Sequence, residues 1–258
     1  MTIKIQLIAF HTLVKCEVIR MFRISSQVFL PPIITTGLYF LIFGALIGDR
    51  IGPIDGISYS QFIAPGLIMM TVITNSYGNV SSSLFSTRFQ KSIEEILISP
   101  MHESLLLAGY VVGGILRGLI VATLVFTVSC FFLPDIEFHH LPMTLLVVIL
   151  VSALFSLAGF TNAMLAKNFD DVMLIPTFLL TPLTYLGGVF YSTSMLPPFW
   201  EKLSHLNPIL YMVSALRHAM FGIQDINMTL AMAVICLTLI LLSLINMILL
   251  KKGVGLRD

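Results

Sequence analysis

Long apolar runs separated by short charged clusters dominate the hydrophobic pattern of this chain. Charge-free intervals of 25 to 32 residues lie between Arg23 and Asp49, Asp55 and Arg88, Glu137 and Lys167, Asp171 and Glu201, and Asp225 and Lys251. A sixth apolar segment, from Leu105 to Leu133, is interrupted only by Arg117. Because about 20 mostly apolar residues form a helix that crosses the hydrocarbon core, each segment predicts one membrane span. The pattern predicts an all-α membrane protein with six transmembrane helices at 26–48, 59–84, 105–133, 142–166, 172–191 and 227–250.

The composition excludes several classes of protein. Of 258 residues 57% are hydrophobic and 10% charged, whereas a soluble domain has about 25% charged residues. The net charge of +1 provides no basic surface, so no nucleic-acid partner is expected. No stretch is long and polar enough to fold separately, and residues 1–258 therefore form a single membrane domain.

The first 25 residues are predicted to form an amphipathic helix. Apolar residues recur at steps of three and four, with basic residues on much of the remaining surface; the apolar ones are Leu7, Phe10, Val14, Val18 and Met21. Such a helix lies along a membrane surface. A plain cytosolic tail is the alternative.

Basic residues predict the orientation of the chain. If both termini are cytoplasmic, ten of the 14 basic residues lie inside and only Arg50, Lys202 and Arg217 lie outside, with Arg117 within the membrane. The positive-inside rule therefore predicts cytoplasmic termini.

Residues 87–99, on the predicted cytoplasmic side, have the periodicity of a short helix. Apolar residues form one stripe, and Arg88, Lys91 and Glu95 lie on the opposite face. A helix that displays both signs of charge suits docking into a groove of a partner protein. A solvated helix lying on the membrane is the alternative.

Polar residues within the predicted spans form a second candidate site. Asn75, Tyr77 and Asn79 lie in the inner half of the second span, and Arg117 lies in the third. These residues either line a substrate path or serve packing, through interhelical hydrogen bonds in the second span and a snorkelling Arg117 in the third. Two glycine pairs near Arg117, Gly109 with Gly113 and Gly114 with Gly118, predict close helix packing.

The segment 195–222 contains paired prolines and the aromatic residues Phe199, Trp200 and Tyr211. Its helical stretches are too short to cross a membrane, which predicts short re-entrant or interfacial helices on the outer face. The aromatic residues form either an outer gate or a structural cap.

The sequence contains no motif for catalysis. No Gly-Lys-[Ser/Thr] phosphate-binding loop, His-Glu-x-x-His or Gly-x-Ser-x-Gly sequence occurs. We therefore expect no catalytic residue, no metal ligands and no cofactor in this chain, which is not expected to be an enzyme.

Three segments, taken in order, resemble the ABC-2 type transporter permeases. They are Tyr59-Ser-Gln-Phe-Ile-Ala-Pro-Gly-Leu-Ile-Met-Met70, the run from Arg88 to Pro100 with its Glu94-Glu95 pair, and the region from Leu180 to Gly222. Within that family the chain is most similar to small bacterial inner-membrane permeases of the YadH type, which are related to polysaccharide and nodulation-factor exporters.

The resemblance implies the transmembrane half of an exporter with the ABC-2 fold. Two copies of the permease, as a homodimer, would assemble in the membrane lipid with two copies of a separate ABC ATPase subunit, which binds ATP and Mg. The segment 87–99 would be the coupling helix, with Glu94 and Glu95 as charged contacts to the ATPase subunit. The first, second and fifth spans would line the route, and the cargo would be a lipid, glycan or hydrophobic small molecule.

Two other functions are compatible with a multi-pass membrane protein. A secondary transporter or channel that works without a partner ordinarily needs intramembrane carboxylates, but every Asp and Glu is expected at a loop or an end. A membrane-embedded enzyme needs a convergent nucleophile or metal set, which the sequence does not show.

Overall fold

The computed structural model describes residues 3–54, 56–99, 101–133, 139–223 and 225–255. Within these ranges the regular structure is helical, and the helices are α1 (Ile3–Arg23), α2 (Ser25–Tyr39), α3 (Gly48–Ile51), α4 (Tyr59–Phe89), α5 (Ile93–Ile98), α6 (Glu103–Phe132), α7 (Leu141–Leu165), α8 (Phe169–Ile175), α9 (Thr181–Tyr185), α10 (Pro198–His205), α11 (Pro208–Phe221) and α12 (Met228–Lys252). A π-helical stretch continues α2 over Phe40–Leu46, and another joins α8 to α9 over Pro176–Leu180. The prediction of an all-α protein is confirmed over the described residues.

Four helices among the described residues are long and apolar enough to cross a membrane, by length and composition. They are Ser25–Gly44, Glu103–Phe132, Leu141–Leu165 and Met228–Lys252, and they coincide with four of the six predicted spans. The second predicted span falls on α4, which has 31 residues but carries many hydroxyl and amide groups. The fifth, predicted at 172–191, falls on α8 and α9 and the π-helical stretch between them, where Pro176 lacks the amide donor of a regular α-helical turn.

α4 lies at the centre of the bundle, where it packs between α6 and α7. Close approach of these helices depends on glycines. A methyl group added at Gly159 of α7 would collide with the backbone carbonyl of Tyr77, and one added at Gly118 of α6 would collide with the hydroxyls of Ser76 and Ser152. The predicted role of the glycine pairs in helix packing is therefore confirmed for Gly118.

The other glycine pair of α6 accommodates α1. Leu13 lies against Gly109, and a methyl group at Gly113 would lie 2.9 Å from Cβ of Glu17. The residues of α1 that are buried are Leu13, Glu17 and Met21, so the face against the bundle includes a carboxylate.

The last long helix, α12, is joined to α7 by one buried amide. The side-chain nitrogen of Asn246 donates to the carbonyls of Leu157 (3.0 Å) and Leu242 (2.9 Å), and its oxygen accepts a hydrogen bond from Thr161 at 3.0 Å. These bonds use every donor of the Asn246 amide within an otherwise apolar contact.

Candidate functional site

A groove open to the surface runs between α2 and α4. Its volume is about 220 Å³. Its lining combines hydroxyl and amide groups with a larger apolar area and consists of Gln27, Val28, Pro31, Pro32, Thr35, Thr36, Tyr39, Leu67, Met70, Thr71, Thr74 and Asn75.

One face of α4 extends this polar surface beyond the groove. We call it the α4 strip, and it comprises Thr71, Thr74, Asn75, Gly78 and Ser82. Thr74 and Ser82 are exposed, and the other three are half-buried. A methyl group at Gly78 would have nothing within 4 Å, so the strip borders open space.

Arg117 reaches from α6 to two asparagines of α4. Its Nε and Nη2 donate to Oδ1 of Asn75 at 3.3 and 3.1 Å, and its Nη1 donates to Oδ1 of Asn79 at 3.4 Å. The structure therefore brings together three of the four residues predicted for a substrate path.

Tyr77, the fourth predicted residue, points to the opposite side of α4. It is 1% exposed and belongs to the hydrophobic core that α4 forms with α6 and α7. Residues two apart on a helix do not share a face, which accounts for this separation.

Two residues of α1 complete the cluster around Asn79. Nη2 of Arg20 donates to Oδ1 of Asn79 at 2.9 Å and forms an ion pair with Oε2 of Glu17 at 3.0 Å. Glu17 is 5% exposed and also accepts a hydrogen bond from Ser83. The expectation that every carboxylate lies in a loop or at an end did not anticipate this buried position.

The residues predicted for coupling lie where α4 turns into α5, at the far end of the α4 strip. The predicted helix 87–99 is divided, because Lys91 adopts a left-handed conformation (φ 59°) between α4 and α5. Lys91, Glu94 and Glu95 are exposed. Arg88, at the end of α4, instead donates to the carbonyls of Ala163, Met164 (3.1 Å) and Ala166 (3.2 Å) at the end of α7.

Aromatic rings connect the same turn to α8. The ring of Phe169 lies 4.8 Å from that of Phe85 and 4.9 Å from that of Phe89, measured between centroids. A cavity of about 200 Å³ beside these rings is lined by Phe85, Arg88, Phe89, Lys91, Ile93, Glu94, Lys167 and Gly255. The turn between α4 and α5 is thus fastened to α7 and α8.

The candidate gate residues lie on α10 and α11. Phe199 and Trp200 pack edge to face with ring centroids 5.5 Å apart, and both are exposed. Tyr211 is half-buried, and its hydroxyl donates to the carbonyl of His205 at 2.9 Å. Tyr211 therefore fastens α11 to the end of α10.

Sequence reasoning missed Arg217, which was counted as an outside basic residue. It is 1% exposed, forms an ion pair with Asp225, and lies with its guanidinium carbon 3.8 Å from the centroid of the Phe62 ring. Only a search for a carboxylate a few residues from a basic residue could have suggested the pair.

The described residues contain no group of three or more His, Cys, Asp or Glu side chains arranged to hold a metal ion. The polar groups that do converge are arginines, amides and hydroxyls within the helical bundle. Such groups can orient a polar or charged solute but include no evident nucleophile with its base.

Comparison with known proteins identifies the family. The family model described as ABC-2 type transporter matches residues 8–221. The inner membrane transport permease YadH of Escherichia coli strain K12 is 52% identical over 242 residues, which cover 94% of each chain. Nodulation protein J of Neorhizobium galegae is 23% identical over 224 residues, 83% of this chain and 82% of that protein. The chain therefore belongs to the ABC-2 type transporter family and is a membrane transport permease.

Proposed function

We propose that this chain is the transmembrane subunit of an ATP-driven exporter in the bacterial inner membrane. Two copies would assemble with two copies of a separate ABC ATPase subunit, which binds ATP and Mg. The cargo would be a lipid, a glycan or a hydrophobic small molecule. Membership of the ABC-2 type transporter family and the similarity to an inner membrane transport permease support this proposal.

The groove between α2 and α4 is the observation that carries the proposal. The hydroxyls of Thr71, Thr74 and Ser82 donate to carbonyls of their own helix. The strip nevertheless adjoins the charged groups of Arg20 and Arg117, and charge makes this surface unfavourable against hydrocarbon. α12, by contrast, exposes Leu237, Ile240, Leu241 and Leu244, which suit contact with lipid. The polar side is therefore best explained as the face toward the transport path and the second copy of the permease.

The topology proposed for the membrane has six crossings with both termini in the cytoplasm. α2, α6, α7 and α12 cross as long apolar helices, and α4 and the α8–α9 segment supply the remaining two. α4 tolerates its polar groups because it is surrounded by α6, α7 and the path. The excess of basic residues at the termini and in the turn before α5 supports this orientation.

In this proposal, ATP binding and hydrolysis by the ATPase subunit would act on the permease through α5. Exposed Lys91, Glu94 and Glu95 present both signs of charge to a partner. Arg88 fastens the adjoining end of α4 to the last carbonyls of α7, and Phe169 fastens it to α8. A displacement of α5 would therefore move three membrane helices together and open the path alternately to each side.

Reversing one charge on α5 tests the proposal. The tagged permease is extracted in mild detergent from its native membrane, and the proteins that copurify are identified and assayed for ATPase activity. We expect one soluble subunit with a Gly-x-x-x-x-Gly-Lys-[Ser/Thr] loop, in equal amount. Glu95→Arg should reduce its recovery and the transport-linked ATPase activity by about tenfold, the loss expected when a charged contact becomes repulsive.

Glu201→Arg is the matched control, because it reverses a charge on α10, away from α5. It should leave recovery of the ATPase subunit unchanged. Wild-type levels of both recovery and activity in Glu95→Arg would contradict the assignment of α5. Recovery of the permease alone, from membranes that contain such an ATPase subunit, would instead favour a transporter that works without a partner.

A further inference from the structure

The cluster around Asn79 carries more positive than negative charge. Oδ1 of Asn79 accepts hydrogen bonds from both Arg20 (2.9 Å) and Arg117 (3.4 Å), so the two guanidinium groups converge on one neutral oxygen. Glu17 pairs with Arg20 at 3.0 Å, and Arg117 has no carboxylate partner among the described residues. Two cations and one anion leave one positive charge uncompensated.

The hydrogen bonds of the cluster are incomplete as well. All the acceptors of Arg117 are neutral amide oxygens, at 3.1 to 3.4 Å. Each of its Nη atoms carries a second hydrogen that has no acceptor within the described part of the chain. Nε of Arg20 is buried without a partner. Burying part of a guanidinium group costs free energy unless charged or polar groups accept its hydrogen bonds.

The cluster is open on the side of the α4 strip. The side chain of Arg20 is 29% exposed, Ser82 is exposed, and a methyl group at Gly78 would meet nothing within 4 Å. Asn75, which binds Arg117, also lines the groove between α2 and α4. Asn75 therefore links the groove to Arg117, and Ser82, at the other end of the strip, contacts Arg20.

We propose that Arg20 and Arg117 together bind one anionic oxygen group, a phosphate or a carboxylate, that enters along the α4 strip. The planar forks of two guanidinium groups match the oxygens of such a group and would supply charge-assisted hydrogen bonds. Glu17 limits the net charge of the cluster to one, and Arg20 is held by the side-chain oxygen and the carbonyl of Asn79. The inference rests on the proposed function, because it defines the charge of the group that the transport path accepts.

The neighbouring surface favours an amphiphile as the carrier of the anionic group. The groove itself is lined by the apolar side chains of Val28, Pro31, Leu67 and Met70 beside its polar groups. An anionic headgroup would contact the arginines while its apolar part lies along these side chains. A free anion would use the same arginines but would gain nothing from the apolar surface.

Lipid binding to the purified full-length permease tests the site without the ATPase subunit. Native mass spectrometry follows titration with phosphatidylglycerol, or with phosphatidylcholine as the zwitterionic comparison. We expect a preference for phosphatidylglycerol, which Arg117→Gln and Arg20→Gln reduce by about tenfold, the equivalent of one charged hydrogen bond. Lys15→Gln removes the same charge from an exposed position of α1 and should change nothing.

Glu17→Gln separates anion binding from a merely structural role. This substitution would keep an acceptor for Ser83 but would leave both arginines uncompensated, so binding of phosphatidylglycerol should become tighter. Arg117→Lys, which retains the charge, should keep part of the preference even if Arg117→Gln lowers the stability of the protein. Wild-type binding in both neutral arginine variants, or weaker binding in Glu17→Gln, would overturn the proposal.

Competition with inorganic phosphate distinguishes the two sources of the anionic group. Phosphatidylglycerol that resists excess phosphate supports an amphiphile, whereas displacement by phosphate overturns the amphiphile and leaves a site for a free anion. Because the ATPase subunit is absent, loss of lipid preference does not affect the copurification result. Likewise, if no ATPase subunit copurifies with the permease, the measured binding of phosphatidylglycerol is still valid.

Discussion

Arg217 shows how a single residue organises one end of the bundle. It lies on α11, and its Nη2 donates to the carbonyl of Gly188 at 2.8 Å while the guanidinium group stacks on Phe62 of α4. Asp225, which follows α11, provides the opposite charge. The side chain therefore joins α11, α4 and the segment after α9, and its charge must be compensated within the protein.

Removing the partner of Arg217 should destabilise the permease strongly. The two side chains are 2% and 9% exposed, so Asp225→Ala leaves an uncompensated buried charge and should cost about 3–5 kcal/mol of unfolding free energy. Thermal unfolding in detergent, followed by circular dichroism, measures the loss. The double variant Arg217→Met with Asp225→Ala should recover part of the stability.

Asp170→Ala, at an exposed position of α8, is the control and should change stability by less than about 1 kcal/mol. Equal unfolding midpoints for Asp225→Ala and Asp170→Ala would show that the ion pair contributes little.

The sequence could not reveal which charged residues are buried. Glu17 and Arg217 lie beside apolar residues, as charged residues on amphipathic surface helices also do. Burial of Glu17 depends on the absence of a side chain at Gly113 and on the hydroxyl of Ser83, which are 96 and 66 positions away in the chain. Asn75 and Asn79, by contrast, were candidates together with Tyr77 and Arg117. Helical periodicity explains why the two asparagines, four positions apart, share a face that excludes Tyr77.

At the scale of elements, the separation of helix axes is determined by glycines. Gly159 places α7 directly on the backbone of α4 at Tyr77, and Gly66 places α4 on Val189, whose Cα would lie 2.9 Å from an added methyl group. Hydropathy predicted which segments are helices, but it does not distinguish a glycine in a contact from one that faces open space. Gly37, for example, has nothing within 4 Å of an added methyl group.

Two matched glycine variants test this packing. Gly159→Ala places a methyl group against the carbonyl of Tyr77, and the required displacement of α7 should cost about 1–3 kcal/mol. Gly37→Ala should be neutral or should stabilise the protein by up to about 1 kcal/mol, because alanine favours a helix. Unfolding midpoints in detergent provide the comparison. A Gly159→Ala variant as stable as Gly37→Ala would contradict the close contact between α4 and α7.

At the scale of the whole molecule, the bundle has one polar side and one apolar side. The α4 strip and the groove lie on the first, and the outer face of α12 lies on the second. Composition and hydropathy predicted a multi-pass membrane protein correctly. They could not identify the side that we propose faces the path, because this requires knowing that α2 and α4 lie side by side and leave a groove between them.

Thiol labelling should distinguish the two sides in native membranes. In a variant with Cys16, Cys130 and Cys236 replaced by Ser, Thr74→Cys and Ser82→Cys should react with a charged, water-soluble methanethiosulfonate at least about tenfold faster than Leu241→Cys. The reason is that the reaction needs a hydrated thiolate. Leu241 is the control because it is 56% exposed in the isolated chain but lies on the apolar side. Equal rates at all three positions would mean that the α4 strip faces lipid.

The side-chain amide of Asn246 affects how α12 packs against α7 while the protein is being synthesised. One of its three hydrogen bonds is to Leu242 of its own helix, and the other two, with Leu157 and Thr161, form only when α12 lies against α7. During synthesis α7 enters the membrane before α12, so its carbonyl at Leu157 and the Thr161 hydroxyl are already available when α12 emerges. Lipid offers the Asn246 side chain no alternative partner. Docking of α12 onto α7 is thus a polar recognition step, and a chain truncated before α12 lacks the amide that contacts Leu157 and Thr161.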